Sequence, residues 1–202
     1  MDMRTIEKIE YGPAAAVRVP LAMETPRELS EFFIAFDTET TGLDPDRDRI
    51  VELGAVVFEK GIPTASFQSY VNPGICIPAE VSVLNHITDE MLAAAPAEKN
   101  VYPEFMKFLG DAASGKTLIC GHVAAFDMSF LCNALNRLGL PAGFRFVDTR
   151  QLATQIPELE HHSLAAVAEY FEIPHEHAHQ AKEDALTSGQ ILCKMIERNR
   201  NK

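Results

Sequence analysis

The sequence has little positive charge and no long apolar run. Of its 202 residues, 18 are lysine or arginine and 29 are aspartate or glutamate, which gives a formal net charge of −11. This balance argues against a protein that holds nucleic acid on a broad basic surface, although an enzyme can still meet phosphates through metal ions. No stretch approaches the roughly eighteen apolar residues of a membrane-spanning helix. We therefore expect no membrane association.

Closely spaced cysteines and a secretory leader are also missing. The first residues carry charges where a signal peptide has its apolar core. No Cys-x-x-Cys spacing occurs, and apolar surroundings predict free, buried thiols in a reducing compartment. The cysteines concerned are Cys76, Cys120, Cys132 and Cys193. Together these features predict a cytoplasmic protein.

What is present fits one globular α/β domain. Hydrophobic residues make up 47% of the chain and charged residues 23%, and the length allows a sizeable core. Residues 1–30 contain three prolines and no strong periodicity, so they are interpreted as an N-terminal extension with a possible short strand at 15–19. Residues 31–202 are interpreted as the main domain.

The apolar patterns predict three strands in a meander, then alternating helices and strands, then helices. The last helix is expected over about residues 180–198. Strands are expected at residues 32–37, 50–58, 66–71, 117–120 and 144–147. This order predicts a single five-stranded mixed sheet flanked by helices.

Two acidic residues stand at the end of the first of these strands. Asp37 and Glu39 are two positions apart, so on a strand their side chains share one face and can reach one metal ion. Gly42 lets the chain turn away sharply. The alternative is a pair of surface acids, but Asp37 follows a continuous apolar run that should be buried.

Two further acids lie near helix starts. Asp127 follows the strand at 117–120, where a helix N-terminus stabilises an acid, so simple capping is the alternative to a ligand role. His179 and Asp184 are five apart, roughly 140° around a helix, which does not suit a ligand pair. We therefore place His179 in a loop as a proton acceptor and Asp184 in the first turns of the helix as a ligand.

Gathered by the fold, the four carboxylates suit Mg²⁺ or Mn²⁺, and two such ions would offset their charge. Paired ions of this kind serve phosphodiester hydrolysis, in which His179 would accept the proton of the attacking water. Zinc is the rival interpretation, because the sequence is dense in histidine near this position. Neither cysteine ligands nor a His-Glu-x-x-His pattern accompanies these histidines, and His175 and His177 are expected in exposed loops.

At these residues the chain resembles the DEDDh-type 3′–5′ exonucleases, a group that includes the epsilon proofreading subunit of bacterial DNA polymerase III. The first motif is Phe-Asp-Thr-Glu-Thr-Thr-Gly-Leu at residues 36–43. The second begins with Gly-His at residues 121–122 and ends with Phe-Asp at 126–127. The third is His-x-Ala-x-x-Asp-Ala at residues 179–185. The resemblance covers roughly residues 31–195.

The resemblance implies an RNase H-like fold, two Mg²⁺ or Mn²⁺ ions, and release of nucleoside 5′-monophosphates from a 3′ end, with DNA favoured over RNA. It makes His179 the general base. The implied metal ligands are Asp37, Glu39, Asp127 and Asp184, and the implied substrate contacts are Thr38, Thr40, Leu43, Asn85 and Phe126.

Two positions depart from the family pattern. Val123 stands where the family usually has asparagine, and it cannot make the hydrogen bonds of that amide. Asn85 takes the place of a histidine that usually contacts the nucleotide. Neither departure removes a predicted metal ligand.

Other functions stay open at this point. An oligoribonuclease-like enzyme would use the same chemistry on RNA, and a non-catalytic module could bind strand ends without His179. The chain could also form a homodimer or dock on a polymerase or another replication or repair protein. The acidic net charge predicts weak processivity without a partner.

Overall fold

The structure is a computed structural model that describes residues 6–20, 27–176 and 178–200. Within these residues, seven strands form one mixed sheet in the order β1-β2-β7-β6-β3-β4-β5. Helices cover both faces of the sheet. The α/β class and the mixed sheet predicted from the sequence are confirmed.

Three long strands form the antiparallel meander that the sequence predicts. They are β3 (Phe32–Thr40), β4 (Ile50–Glu59) and β5 (Ile62–Tyr70). β4 is buried over nearly its whole length, whereas β5 lies at the edge of the sheet and is largely exposed. β4 and β5 therefore differ in burial, because only β4 is covered on both faces of the sheet.

A parallel half continues from the other side of β3. β6 (Leu118–Gly121) runs parallel to β3, with Ile34 opposite Ile119, and β7 (Ala142–Asp148) runs parallel to β6. The carboxyl ends of β3 and β6 thus meet at one edge of the sheet, where open α/β sheets place their ligands.

The predicted count of five strands is wrong, because the N-terminal segment adds two. β1 (Lys8–Tyr11) and β2 (Ala14–Arg18) form an antiparallel pair, and β2 runs parallel to β7. Alanine has low strand propensity, so the run at 14–16 gives a weak signal. Ala14 and Ala16 are fully buried because helix α5 (Ala124–Arg137) lies across them. The division of the chain at residue 30 stays a prediction.

Two helical layers enclose the sheet. Tyr102, Phe105 and Met128 pack on one face of the sheet, and Phe33, Phe58 and Leu192 pack on the other. Besides α5, the helices are α1 (Arg27–Glu31), α2 (Ala79–Asn85), α3 (Asp89–Ala94), α4 (Glu98–Leu109), α6 (Thr149–Ala153), α7 (Leu164–Tyr170) and α8 (Ala181–Arg200). α4 and α5 supply the first layer, and α1 and α8 supply the second. The sequence patterns predicted no element at residues 79–85, where the structure has α2.

The four cysteines are free, as predicted, but Cys76 is exposed instead of buried. In the part of the chain that the structure describes, no helix has both the length and the apolar character needed to cross a membrane.

A buried ion pair ties β2 to the rest of the sheet. The Arg18 Nη2 lies 3.6 Å from Oδ2 of Asp148, and both side chains are almost inaccessible to solvent. Arg18 Nη1 also donates to Gln151 Oε1 at 3.0 Å, and its guanidinium lies 5.5 Å from the ring centre of Phe146. Removing one partner of such a pair leaves a buried charge without compensation.

We expect Arg18→Met to lower the free energy of unfolding by about 3–5 kcal/mol, because the buried Asp148 would lose its cationic partner. Urea denaturation measures this change. Lys8→Met is the matched control, since Lys8 forms an exposed ion pair with Glu10 that should contribute less than about 1 kcal/mol. Equal losses in the two variants would contradict a stabilising role of the buried pair.

Candidate active site

The first two predicted ligands lie near the carboxyl end of β3. Asp37 and Glu39 are both partly exposed and alternate with the buried Thr38, so they share one face of the strand. On β4, Gly54 lies opposite Asp37 and Glu52 lies opposite Glu39. The strand therefore presents two carboxylates to the same space, as its period of two predicts.

Asp127 is brought to this strand by α5. It lies in the first turn of that helix and is 3% exposed. Its Oδ1 accepts two hydrogen bonds from Thr38, one from the backbone N–H at 3.0 Å and one from the hydroxyl at 2.7 Å. Thr38, which lies between Asp37 and Glu39 in the sequence, thus holds Asp127 close to both.

Val123 begins α5 in a conformation that is unfavourable for its side chain. Its φ is 65°, in the left-handed region, which β-branched residues rarely adopt. The backbone N–H of Val123 donates to Oδ1 of Asp148 at 3.1 Å, and this bond helps to hold the turn. The asparagine usual in the family tolerates this region, so the departure costs about 1–3 kcal/mol in backbone strain.

The fourth acid, Asp184, lies in the first turn of α8, and this turn packs closely on β4. A side chain at Gly54 would meet the backbone of Ala181 at 2.1 Å, so only glycine allows this approach. Glu52 Oε2 accepts the N–H of Ala181 at 3.2 Å. The carboxylate thereby caps the positive end of the helix and fixes its start at the site.

Asp184 and His179 take the positions that the sequence predicts. His179 is exposed in the turn before α8, with a φ of 63°, and Asp184 is buried in the first turn of the helix. The His179 N–H donates to Asp184 Oδ2 at 3.0 Å. One potential ligand atom each from Glu39, His179 and Asp184 lies within 4.8 Å of the other two.

His175 is not the exposed loop residue that we expected. Its side chain is 10% exposed, and its Nε2 lies 2.7 Å from Oδ1 of Asp184. The error arose because the segment before α8 was treated as a solvated loop, whereas it folds back onto the helix. His177, the other histidine expected to be exposed, lies outside the described residues.

The gathered acids disfavour one another's ionisation. Burial raises the pKa of Asp37 well above its usual range, and the charges of Asp127 and Asp184 raise it further. Burial likewise raises the pKa of Glu39 to about 8, with Asp184 adding to the effect. The pKa of Asp127 rises to about 7 for the same main reason, although its hydrogen bonds oppose the rise.

Hard divalent cations fit this donor set. The carboxylates of four acids lie close enough to affect one another's ionisation, and carboxylate oxygens are the ligands that hard divalent cations prefer. A cation that neutralises the cluster would reverse the effect. Within the described residues, the group that could hold an ion consists of Glu39, His179 and Asp184 and contains no cysteine.

The predicted substrate contacts lie around this cluster in different settings. Leu43 is 82% exposed on the loop after β3, and Phe126 is half-buried beside Phe130 on α5. Thr40 is turned inward, and its hydroxyl donates to the carbonyl of Gly42 at 2.6 Å. Leu43 and Phe126 line one cleft of about 780 Å³.

Asn85 is buried at the end of α2, where its Oδ1 accepts the N–H of Ile87 at 3.1 Å. Its Nδ2 lies close enough to Glu39 to lower the pKa of that carboxyl. The role of Asn85 as a substrate contact stays a prediction.

Sequence reasoning missed two residues of the site, Glu52 and His175. Glu52 is 1% exposed and burial raises its pKa, while Gln68 Nε2 donates to its Oε1 at 2.7 Å. A glutamate inside a continuous apolar strand was the available signal for Glu52. His175 had no comparable signal, because its role depends on how the loop folds.

The whole chain was compared with known families and structures. Residues 34–192 match the model of a family described as Exonuclease. The chain belongs to this exonuclease family, which confirms the resemblance predicted from the sequence. β1, β2 and α1 lie ahead of the matched residues.

Two curated relatives are DNA polymerase III proteins. A subunit epsilon of Treponema pallidum is 36% identical over 168 residues, which are 81% of this chain and 76% of the relative. A PolC-type protein of Caldanaerobacter subterraneus subsp. tengcongensis is 35% identical over 176 residues, which are 87% of this chain. The chain spans 12% of the length of that PolC-type relative.

Solved structures share the fold. The nuclease domain of 3′hExo, a DEDDh family member bound to rAMP, has a TM-score of 0.68 at 18% identity, covering 84% of this chain and 93% of that domain. Exonuclease X in complex with 5′ overhanging duplex DNA has a TM-score of 0.64 at 22% identity, covering 83% of this chain and 91% of its own. The RNase H-like fold predicted from the sequence is thereby confirmed.

Proposed function

We propose that this chain is a metal-dependent 3′–5′ exonuclease that releases nucleoside 5′-monophosphates from DNA 3′ ends. The observation that carries the proposal is the convergence of Asp37, Glu39, Asp127 and Asp184 at the carboxyl ends of β3 and β6, with an exposed His179 at the margin. Membership of the exonuclease family supports it.

The four carboxylates would hold two Mg²⁺ or Mn²⁺ ions, which activate a water and stabilise the leaving oxygen in phosphodiester cleavage. Thr38 keeps Asp127 beside the β3 acids, and Glu52 keeps the start of α8 in place. These contacts fix the ligand set before any substrate arrives, so little reorganisation is needed during the reaction.

His179 is suited to accept the proton of the attacking water. The backbone N–H of His179 donates to Asp184, and this bond holds the residue beside the cluster. The imidazole is exposed and takes no part in that bond, so it is available to accept a proton. A general base of this kind contributes about 10²–10⁴-fold to the rate. The exposed Leu43 is the side chain proposed to contact the terminal base.

DNA is favoured as the substrate because the curated relatives are DNA polymerase III proteins. The same relationship supports docking on a polymerase and a cytoplasmic location, both of which the sequence predicts. Homodimer formation stays a prediction from the sequence.

The test is metal-dependent release of mononucleotides from a 3′-labelled single-stranded DNA, run beside an RNA of the same sequence. We expect release with Mg²⁺ or Mn²⁺ and none after chelation. Faster cleavage of the RNA, above all of very short RNA, would replace DNA by an oligoribonuclease-type substrate. Retention of DNA without shortening in any metal would refute the proposal in favour of a binding module.

A further inference from the structure

Two histidines hold the carboxylate of Asp184 from opposite oxygens. His175 Nε2 lies 2.7 Å from Oδ1, and the His179 backbone N–H donates to Oδ2 at 3.0 Å. The imidazole hydrogen bonds to a carboxylate acceptor, so its proton lies on Nε2. His175 therefore contacts Asp184 through its side chain, whereas the hydrogen bond from His179 comes from its backbone.

The setting of His175 is fixed by its neighbours. Ile173 is buried, and its N–H donates to the carbonyl of Ala168 at 2.9 Å, which ties the segment to the end of α7. Pro174 restricts the backbone next to it. The side chain of His175 is 10% exposed, whereas His179 is exposed in a turn. The two histidines thus differ in exposure as well as in contact.

Asp184 needs such a restraint to hold one orientation. Its carboxylate lies close enough to Asp37 and Glu39 to raise the pKa of both. The terminal torsion of an aspartate is soft, so proximity to the other acids does not by itself fix the orientation of the Asp184 carboxylate. A hydrogen bond to each oxygen opposes rotation of the carboxylate.

We propose that His175 is a positioning residue that sets the orientation of the Asp184 carboxylate for metal binding. This inference rests on one part of the proposed function, namely that Asp184 is a metal ligand. Partners that hydrogen bond to metal ligands typically change metal affinity by about 10–100-fold. Because His175 acts through Asp184, its loss should weaken metal binding and leave the KM for DNA at saturating metal nearly unchanged.

The experiment compares two near-isosteric variants. His175→Gln places an amide N–H close to the position of Nε2, whereas His175→Met has similar length and no donor. Mn²⁺ titration by calorimetry should show wild-type-like affinity for the glutamine variant and affinity about 10–100-fold weaker for the methionine variant. His161→Ala, a change at an exposed histidine, is the control and should bind Mn²⁺ as wild type does.

A second readout needs no metal and no activity. In the metal-free protein, the amide resonance of His179 reports its bond to Asp184 Oδ2. That resonance should shift in His175→Met and stay close to wild type in His175→Gln. A shift of similar size in the two variants would overturn the hydrogen-bond role.

Equal losses of Mn²⁺ affinity in both variants would also overturn the proposal, since they would make His175 a ligand or a packing residue. Wild-type affinity in both variants would exclude any role for His175 in metal binding. If the wild-type protein bound Mn²⁺ and cut no nucleic acid, the proposed function would fail, while the comparison of the two variants would still decide the role of His175.

Discussion

Asp37→Asn should lower kcat/KM for DNA by about three powers of ten or more. Asp37 is the first acid of the β3 pair and lies among four other carboxylates, so its replacement weakens the proposed ion sites directly. Such a loss corresponds to about 4 kcal/mol of transition-state stabilisation. Release of mononucleotides at saturating Mg²⁺ and Mn²⁺ measures it.

The same substitution should stabilise the metal-free protein. Folded-state pKa values of Asp37, Glu39 and Asp127 are raised, to about 8 for Glu39 and about 7 for Asp127. The folded protein then binds more protons than the unfolded chain between about pH 4 and pH 8, so its stability falls as pH rises through that range. Removing one charge should relieve part of this loss and raise the melting temperature at pH 8.

Thermal melts at pH 5 and pH 8, with and without Mn²⁺, test this prediction. Mn²⁺ should raise the wild-type melting temperature most at pH 8, and it should have a much smaller effect on Asp37→Asn. Asp111→Asn is the charge-matched control, because Asp111 is exposed and pairs with Lys116 on the surface. A metal-free Asp37→Asn that melts below wild type at pH 8 would contradict the electrostatic account.

The places of the four acids on their strand and helices could be predicted because they depend on local patterns. Asp37 and Glu39 end an apolar strand with period two, and Asp127 and Asp184 fall in the first turns of helices with clear apolar faces. Each pattern needs only a few neighbouring residues. The parallel pairing of β3 and β6 brings Asp127 to the β3 acids, whereas Asp184 is brought there by the packing of α8 on β4.

Other parts of the site depend on contacts between distant segments. Glu52 was missed as a site residue because its role arises from Ala181, 129 positions away, and from the close approach at Gly54. His175 was misplaced because its contact depends on the path of an irregular loop. β1 was missed because a four-residue strand has no pattern of its own and forms by pairing with β2.

His179→Gly should lower kcat by about 10²–10⁴-fold and leave Mn²⁺ affinity within a few fold of wild type. Glycine suits the φ of 63°, so the turn should persist, and the backbone N–H to Asp184 is retained. The imidazole is exposed, so its removal opens a position that imidazole from solution can enter.

Added imidazole should therefore restore part of the lost kcat in His179→Gly, measured as mononucleotide release at saturating Mg²⁺. It should not rescue Asp37→Asn, which retains His179 and lacks a ligand. The position of His179 among possible ligand atoms allows a competing role in metal binding. In that case Mn²⁺ affinity would fall with kcat, and a parallel loss of both would assign His179 to the metal instead of to the proton.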